Sequence, residues 1–231
     1  MKKTPKTASP RASKNLPETI QQKISHMTTE LVEGFEFIAD FPRSVTIFGS
    51  TRSNENDSWY QEARKLGAML AKDGYTVVTG GGPGVMEAAN RGSAESNGES
   101  VGLNINLPDV QLANPYVNSS TGFHYFFVRK VMLSFISPVY IFFPGGFGTL
   151  DEFFELVTLE QTKKLSKPVT IIVVGKDYWE PLLLWLKNTA KDVYRAVDED
   201  DLQIIKLVDT PEEARELVLS HTAKNGGSLQ K

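Results

Sequence analysis

The chain of 231 residues contains no cysteine and only three histidines. The lack of cysteine excludes disulfide bonds, thiolate metal ligands and a cysteine nucleophile. His26, His124 and His221 lie too far apart in the sequence to form a short metal-binding motif such as HExxH, so we predict no metal site.

Long hydrophobic runs and an excess of charge of either sign are also missing. No stretch approaches the roughly 18 apolar residues that a transmembrane helix needs. The formal net charge is only -3, which argues against a general nucleic-acid-binding protein. With 40% hydrophobic and 23% charged residues, the composition predicts a globular cytoplasmic protein that binds neither membranes nor nucleic acid.

The two ends of the chain differ in composition from its middle. Residues 1–15 carry five basic residues and no acidic one, and most of the others are Thr, Ser and Pro. Because such a stretch has little apolar surface to bury, we predict a disordered tail over residues 1–16. A transit peptide, or an arm that docks to an acidic partner, would share this composition. Residues 222–231 predict a frayed C-terminus, which leaves residues 17–221 as a single domain.

Helical periodicity and short β-branched runs alternate along the middle of the chain. Strands are predicted at 44–48, 75–79, 100–105, 139–143, 168–174 and 204–208, and helices at 17–41, 58–72, 84–97, 125–136, 149–164, 178–194 and from 211, with a long loop after residue 105. Most of these strands are apolar throughout, which is typical of a parallel sheet covered by helices on both faces. We therefore predict a Rossmann-like, doubly wound α/β fold with its site at the carboxyl ends of the strands.

Three of the turns that follow predicted strands contain glycine, namely Gly49-Ser50, residues 80–84 (GGGPG) and residues 145–148 (GGFG). Glycine lets backbone N–H groups approach an anion, and the helix that follows adds free donors and a positive dipole end. A tight turn explains any one of these segments equally well, but three at one sheet edge favour a phosphate site. The chain has no P-loop and only two of the three glycines of GxGxxG, which favours a mononucleotide.

Charged residues accompany the glycine turns. Thr149 and Glu152 have the spacing of a capping box, and Glu152 could equally activate water or stabilise a developing cation. Arg129 and Lys130 lie within an otherwise apolar predicted helix. A planar guanidinium there suits a phosphate or a carboxylate, whereas snorkelling at the helix surface is the structural alternative.

Residues 144–152 read PGGFGTLDE and contain the complete pattern PGGxGTxxE, with Arg129-Lys130 upstream. On these residues, and on the glycine segment 80–90 (GGGPGVMEAAN), the chain resembles the LOG family of cytokinin-activating phosphoribohydrolases, once commonly labelled lysine decarboxylases. The resemblance extends from about Val45 to Val208. Plant-type members carry Met-His-x before the Arg-Lys pair, where this chain has Phe126-Phe127-Val128, and they have a glycine at the position of Glu87; these departures resemble a bacterial subgroup.

The resemblance implies a homodimer that hydrolyses the N-glycosidic bond of an adenosine-type 5′-monophosphate, AMP or a cytokinin riboside monophosphate, and releases free base and ribose 5-phosphate without a cofactor. Arg129 and Glu152 would be the catalytic pair. The resemblance places the nucleotide and its phosphate on Gly49, Ser50, Gly81, Gly82, Lys130, Gly145, Gly146, Gly148 and Thr149.

A non-catalytic carrier of a nucleotide or of molybdenum cofactor on the same fold is the alternative function. Retention of both Arg129 and Glu152 favours the enzyme, because a carrier has less use for a carboxylate beside an anion. A pyridoxal-phosphate-dependent decarboxylase needs a lysine within a binding site for that cofactor, and the residues around Lys130 do not form such a motif. The sequence therefore does not support a decarboxylase.

Overall fold

The computed structural model of the chain describes residues 18–106, 113–165 and 167–225. The predicted basic tail and residues 226–231 of the predicted frayed end lie outside the described residues. The strands are β1 (Ser44–Phe48), β2 (Thr76–Thr79), β3 (Ser100–Ile105), β4 (Ser119–Phe123), β5 (Val139–Phe142), β6 (Thr170–Val174) and β7 (Ile205–Val208). The helices are α1 (Glu18–Ala39), α2 (Ser58–Lys72), α3 (Val85–Glu95), α4 (Phe126–Phe135), α5 (Phe147–Gln161), α6 (Lys176–Trp185), α7 (Glu199–Leu202) and α8 (Pro211–Asn225), with a π-helix at Leu186–Lys191.

The strands of the described chain form one parallel sheet in the order β4-β3-β2-β1-β5-β6-β7. From β1 the chain moves outward to β4 and then returns to the opposite side of β1 with β5. The carboxyl ends of β1 and β5 are therefore the topological switch point, where doubly wound folds bind their ligands. This arrangement confirms the predicted α/β fold.

Helices cover both faces of the sheet and build two apolar layers. On one face α2, α3 and α8 pack against the strands through side chains such as Leu66 and Val218. On the other face α1, α4, α5 and α6 do so through Met132, Phe153 and Trp179. The central strands are buried from both sides, which is why β5 and β6 are largely apolar, whereas β1 also buries the polar residues Ser44 and Thr46.

The prediction of a continuous loop after residue 105 was wrong, because Ser119–Phe123 forms β4 and pairs with β3. This strand lies at the edge of the sheet, and its residues SSTGF are mostly small or polar and only partly buried. An edge strand without apolar alternation has no periodic signal in the sequence.

The last helix differs from the expected frayed end at residues 222–225, which continue α8. The hydroxyl groups of Tyr75 and Thr222 lie 2.5 Å apart and tie this turn to the start of β2. In the part of the chain that the structure describes, no helix combines the length and apolarity that crossing a membrane requires.

Candidate active site

A cleft of about 1000 Å³ lies at the carboxyl ends of β1 and β5. Residues 48–53, at the end of β1 and directly after it, form one wall, and residues 144–152, after β5, form another. The two turns are joined directly, because the backbone N–H of Ser50 donates to the carbonyl of Pro144 at 3.0 Å. The cleft therefore lies at the topological switch point, and it lies at the carboxyl ends of the strands, where the sequence predicted the site.

Helix α5 begins inside the second of these turns. Gly146 is its N-cap, and no side chain of the described chain caps it, so the first N–H groups of the helix remain available to an anion. A Cβ atom on Gly146 or Gly148 would meet nothing within 4 Å, whereas one on Gly145 would lie 2.1 Å from Thr149 Oγ1. Tyr178 donates its hydroxyl to the Gly145 carbonyl at 2.6 Å and supports the turn from α6.

The capping-box interpretation of Thr149 and Glu152 is wrong. Because α5 begins at Phe147, Thr149 is the third residue of the helix and Glu152 the sixth, so Thr149 is not the N-cap that a capping box requires. The extended backbone of Gly146 (φ -95°, ψ -160°) starts the helix before the threonine is reached. Glu152 has no role in the helix terminus and instead lines the cleft.

The carboxyl group of Glu152 is buried, with only 6% of the residue exposed. Its Oε2 atom has no hydrogen-bond partner among the described residues. Burial raises the pKa of Glu152 to about 7, although the positive charges of Lys130 and Arg129 lower it. A carboxyl group with this pKa changes its charge near neutral pH, as a group that takes part in proton transfer or in charge stabilisation can do.

Helix α4 carries Arg129 to the cleft, where two backbone carbonyls hold its guanidinium. Nε donates to the carbonyl of Leu103 at 2.6 Å, and Nη2 donates to the carbonyl of Gly80 at 3.2 Å. Burial lowers the pKa of Arg129, and the charge of Glu152 raises it, so the two side chains are close enough to interact electrostatically. Neither hydrogen bond uses Nη1, which leaves this end of the guanidinium for a ligand.

The cleft collects most of the residues that the sequence singled out. Those that line it are Gly49, Ser50, Arg129, Gly145, Gly146, Gly148, Thr149 and Glu152. Lys130 is not among the lining residues of the described chain, and its Nζ instead lies 2.6 Å from Asp151 Oδ2 and 3.1 Å from Glu155 Oε2. Neighbouring residues on a helix point about 100° apart, so Arg129 and Lys130 cannot both face the cleft.

Gly81 and Gly82 also lie outside the lining of the cleft in the described structure. Their carbonyls accept hydrogen bonds from Asn114, whose backbone N–H is 2.8 Å from the Gly81 oxygen and whose Nδ2 is 3.1 Å from the Gly82 oxygen. The predicted contact of Lys130, Gly81 and Gly82 with a nucleotide is therefore not supported by their positions.

Sequence reasoning missed other residues that line the cleft, among them Arg52, Asn104 and Phe126. Gly80 and Phe147 also line it; they lie within the predicted glycine turns but were not named as site residues. A Cβ atom on Gly80 would lie 2.1 Å from Arg129 Nη2, so this glycine makes room for the guanidinium. The only feature of the sequence that could have identified Gly80 as a site residue is its position directly after β2. The exposed aromatic rings of Phe126 and Phe147 have no comparable signal in the sequence, because packing in the core explains aromatic residues equally well.

No group of three or more His, Asp or Glu suited to a metal occurs among the residues described.

A family model with the description "possible lysine decarboxylase" matches residues 86–218. The cytokinin riboside 5′-monophosphate phosphoribohydrolase of Rhodococcoides fascians is 28% identical over 155 residues, which cover 64% of this chain and 76% of that protein. The pyrimidine/purine nucleotide 5′-monophosphate nucleosidase of Escherichia coli (strain K12) is 29% identical over 170 residues. That match covers 70% of this chain and 35% of the nucleosidase, so the chain spans about a third of its length.

Two solved structures share the fold at low sequence identity. The molybdenum cofactor binding protein from Rippkaea orientalis superposes with a TM-score of 0.57 at 22% identity, over 77% of this chain and 94% of the other. The molybdenum cofactor carrier protein from Chlamydomonas reinhardtii superposes with a TM-score of 0.58 at 18% identity, over 78% and 97% of the two chains. At these identities the likeness concerns the fold alone.

Proposed function

The chain belongs to the LOG family, whose family model carries the older description of a possible lysine decarboxylase, and from this premise we propose that it is a phosphoribohydrolase of nucleoside 5′-monophosphates. It hydrolyses the N-glycosidic bond of an adenosine-type monophosphate, with AMP as the simplest substrate, to free base and ribose 5-phosphate. The names of the relatives from Rhodococcoides fascians and Escherichia coli support this class of reaction.

One observation carries the proposal: Arg129, the buried carboxyl of Glu152 and the uncapped start of α5 line the same cleft. We place the 5′-phosphate at the first N–H groups of α5, where the helix dipole favours an anion. Glu152 lies five residues beyond Phe147, a rise of about 8 Å along the helix axis. We place the ribose between the helix start and this carboxyl group, within the cleft that both line.

The chemistry follows from the charge that develops during the reaction. When the ribosyl–base bond breaks, its electron pair leaves with the base and positive charge builds on the sugar ring. The ionised carboxylate of Glu152 stabilises this oxocarbenium-like transition state and orients the water that attacks C1′. The water supplies a hydroxyl group to the sugar and a proton to the base. Arg129 binds the nucleotide and positions it against Glu152, which lowers the barrier through correct placement.

The test is incubation of the purified protein with AMP and chromatographic detection of free adenine. We expect adenine release by the wild-type protein, and a loss of at least about 100-fold in kcat for Glu152→Gln because a neutral amide cannot stabilise the developing cation. Adenosine, which lacks the phosphate, serves as the matched substrate control and should be a poor substrate. AMP that is bound and recovered intact would instead identify a carrier, and adenine release by Glu152→Gln at the wild-type rate would exclude the role given to Glu152.

We also propose that the protein acts as a homodimer through the sheet face that carries α1, α4, α5 and α6. The large apolar side chains that the described chain exposes belong to these four helices or to the turn that follows the π-helix: Ile20, Ile24, Val32, Phe35, Phe126, Phe127, Phe135, Phe147, Phe154, Tyr178, Leu184 and Trp185 on the helices, and Val193 and Tyr194 in the turn. Such one-sided exposure marks a surface that another protein covers. A second copy of the chain is the partner that the family resemblance implies.

A further inference from the structure

A buried network of polar side chains lies behind the glycine turn that follows β2. Thr79, Asn90 and Ser100 are fully buried, at 0% exposure. The hydroxyl of Thr79 donates to Asn90 Oδ1 at 2.6 Å, and Asn90 Nδ2 donates to Ser100 Oγ at 2.8 Å. Asn114 Nδ2 also donates to Asn90 Oδ1, at 2.9 Å. Asn90 therefore has partners for both ends of its amide, which determines the orientation of that amide.

The network ends on the peptide unit between Gly80 and Gly81. The backbone N–H of Gly81 donates to Thr79 Oγ1 at 2.9 Å, and the carbonyl of Gly80 accepts the hydrogen bond from Arg129 Nη2 at 3.2 Å. The two groups belong to one planar peptide, so the direction of the N–H determines the direction of the carbonyl. Gly81 has a φ of +72°, a conformation that glycine adopts without steric cost.

We propose that Thr79 and Asn90 are positioning residues for Arg129 and act through the Gly80–Gly81 peptide. Without the Thr79 hydroxyl, the buried N–H of Gly81 would lose its partner, and the peptide would rotate to find another. That rotation would move the Gly80 carbonyl away from the guanidinium. The second anchor of Arg129 is the backbone carbonyl of Leu103 on β3, so one remaining hydrogen bond would let the guanidinium turn.

The inference rests on the proposed function, because the placement of Arg129 affects catalysis only if Arg129 positions the nucleotide. It adds residues outside the PGGxGTxxE and Arg-Lys motifs. Thr79 and Asn90 do not line the cleft of the described structure. Their effect on a substrate would therefore pass through Arg129 and not through direct contact.

The chain offers a matched control for a test at Thr79. Thr46 lies on the neighbouring strand β1, is also 0% exposed, and has its hydroxyl within 2.7 Å of Ser137 Oγ. Thr79→Val and Thr46→Val each remove one buried hydroxyl, and a purely structural role predicts a loss of stability in both without a specific loss of activity. We expect the larger decrease in melting temperature in Thr79→Val, because the Thr79 hydroxyl makes two hydrogen bonds, and a loss of about 100-fold in kcat/KM for AMP per folded molecule only in that variant. Thr79→Ser, which keeps the hydroxyl, should restore activity to within a few-fold of wild type.

A measurement without substrate separates this inference from the proposed function. In the apo protein the two anchors restrain the guanidinium of Arg129, so its two Nη nitrogens should give separate ¹⁵N NMR signals, assigned by their loss in Arg129→Lys. These signals should merge in Thr79→Val and remain separate in Thr46→Val. If valine at residue 79 prevents folding, Thr79→Ala and Thr46→Ala provide the same comparison.

The outcomes distinguish the two claims. Merged signals in Thr79→Val, together with a wild-type protein that releases no adenine from AMP, would support the positioning network and refute the proposed reaction. Separate signals in Thr79→Val, with AMP turnover per folded molecule equal to that of Thr46→Val, would refute the positioning role.

Discussion

The carboxyl group of Glu152 destabilises the fold when it is ionised, because a buried charge without a hydrogen-bond partner for Oε2 loses its hydration. The pKa of about 7 in the folded state exceeds the ordinary value of 4.5. Between these values the folded state keeps a proton that the unfolded state releases, so stability falls as pH rises. Above pH 7 the full penalty is present.

Glu152→Gln should therefore raise the melting temperature at pH 8. The penalty that the amide removes is on the order of 3 kcal/mol, which corresponds to several degrees for a chain of this size. At pH 5 the wild-type carboxyl is protonated in the folded state, and the gain should be much smaller. Differential scanning fluorimetry of the wild-type protein and Glu152→Gln at pH 5 and pH 8 measures the difference in melting temperature. Glu216→Gln, at an exposed position of α8, is the control, and an equal gain at pH 5 and pH 8 in Glu152→Gln would contradict the argument.

The same titration predicts the pH dependence of the reaction. The ionised carboxylate is the active form in the proposed mechanism, so kcat for AMP should rise through about pH 7 and reach a plateau above it. The positive charge of Lys130 lowers the pKa of Glu152. Lys130→Met should therefore shift the rise in kcat to higher pH and leave the plateau nearly unchanged, as steady-state assays from pH 5 to 9 can measure. A large loss of plateau activity would mean that Lys130 contacts the substrate, in disagreement with its ion pairs to Asp151 and Glu155.

Arg129 and Lys130 show what sequence reasoning can and cannot resolve for single residues. The motif identified both as candidates, and the sequence did not decide between a role at the site and snorkelling at the helix surface. Which of them faces the cleft depends on the packing of α4 against the sheet, through contacts with β3 that no local pattern encodes. The same limit applies to Gly80, whose lack of a side chain matters only because Arg129 arrives from a distant helix.

At the scale of elements, burial decides how well the sequence predicts structure. Ser44–Phe48 and Ser100–Ile105 are strands at the predicted bounds, because buried apolar runs that end at turn residues have a strong signal. The edge strand β4 has little apolar surface and was missed. The sequence predicted the start of α5 at Thr149, two residues too late, because Thr149 and Glu152 match the spacing of a capping box. The glycine turn begins the helix at Phe147 without one.

The close contact between Gly80, in the turn after β2, and Arg129, on α4, leads to a testable prediction. In Gly80→Ala the new Cβ would lie 2.1 Å from Arg129 Nη2 and 2.9 Å from Met86 Sδ. Both atoms are ends of flexible side chains and can move, so the fold should persist while the guanidinium is displaced. We expect kcat/KM for AMP to fall about 100-fold with a change in melting temperature of only a few degrees.

Gly98→Ala is the control for this prediction, because Gly98 precedes β3 at the amino end of the sheet, opposite to the cleft. A Cβ there would lie 2.4 Å from Ala71 Cβ, an atom bound directly to its own backbone. This variant should lose stability and keep its activity per folded molecule. If Gly80→Ala behaves in the same way as Gly98→Ala, the close contact between Gly80 and Arg129 has no catalytic significance.

The whole molecule has two unlike faces. The described helices α2, α3 and α8 expose none of the large apolar side chains, whereas α1, α4, α5 and α6 expose many of them. The rings of Phe35 and Phe135 pack edge to face at 6.0 Å and join α1 and α4 into one continuous surface. Phe126 and Phe147 belong to the same exposed set and also line the cleft. A partner seated on this face would therefore border the entrance to the site.

Phe35→Glu should convert a dimer into a monomer, since a carboxylate at the centre of an apolar interface loses its hydration without gaining a partner. The mass can be measured by light scattering coupled to size-exclusion chromatography. The wild-type protein should have twice the mass of one chain, and Phe35→Glu the mass of a single chain. Lys72→Glu, a substitution at an exposed position of α2, is the control and should remain a dimer. Because the proposed interface borders the cleft, the monomer should also bind AMP more weakly, with a KM several-fold higher. A wild-type protein that is monomeric at micromolar concentration would refute the dimer, and a dimeric Phe35→Glu would place the interface elsewhere on the molecule.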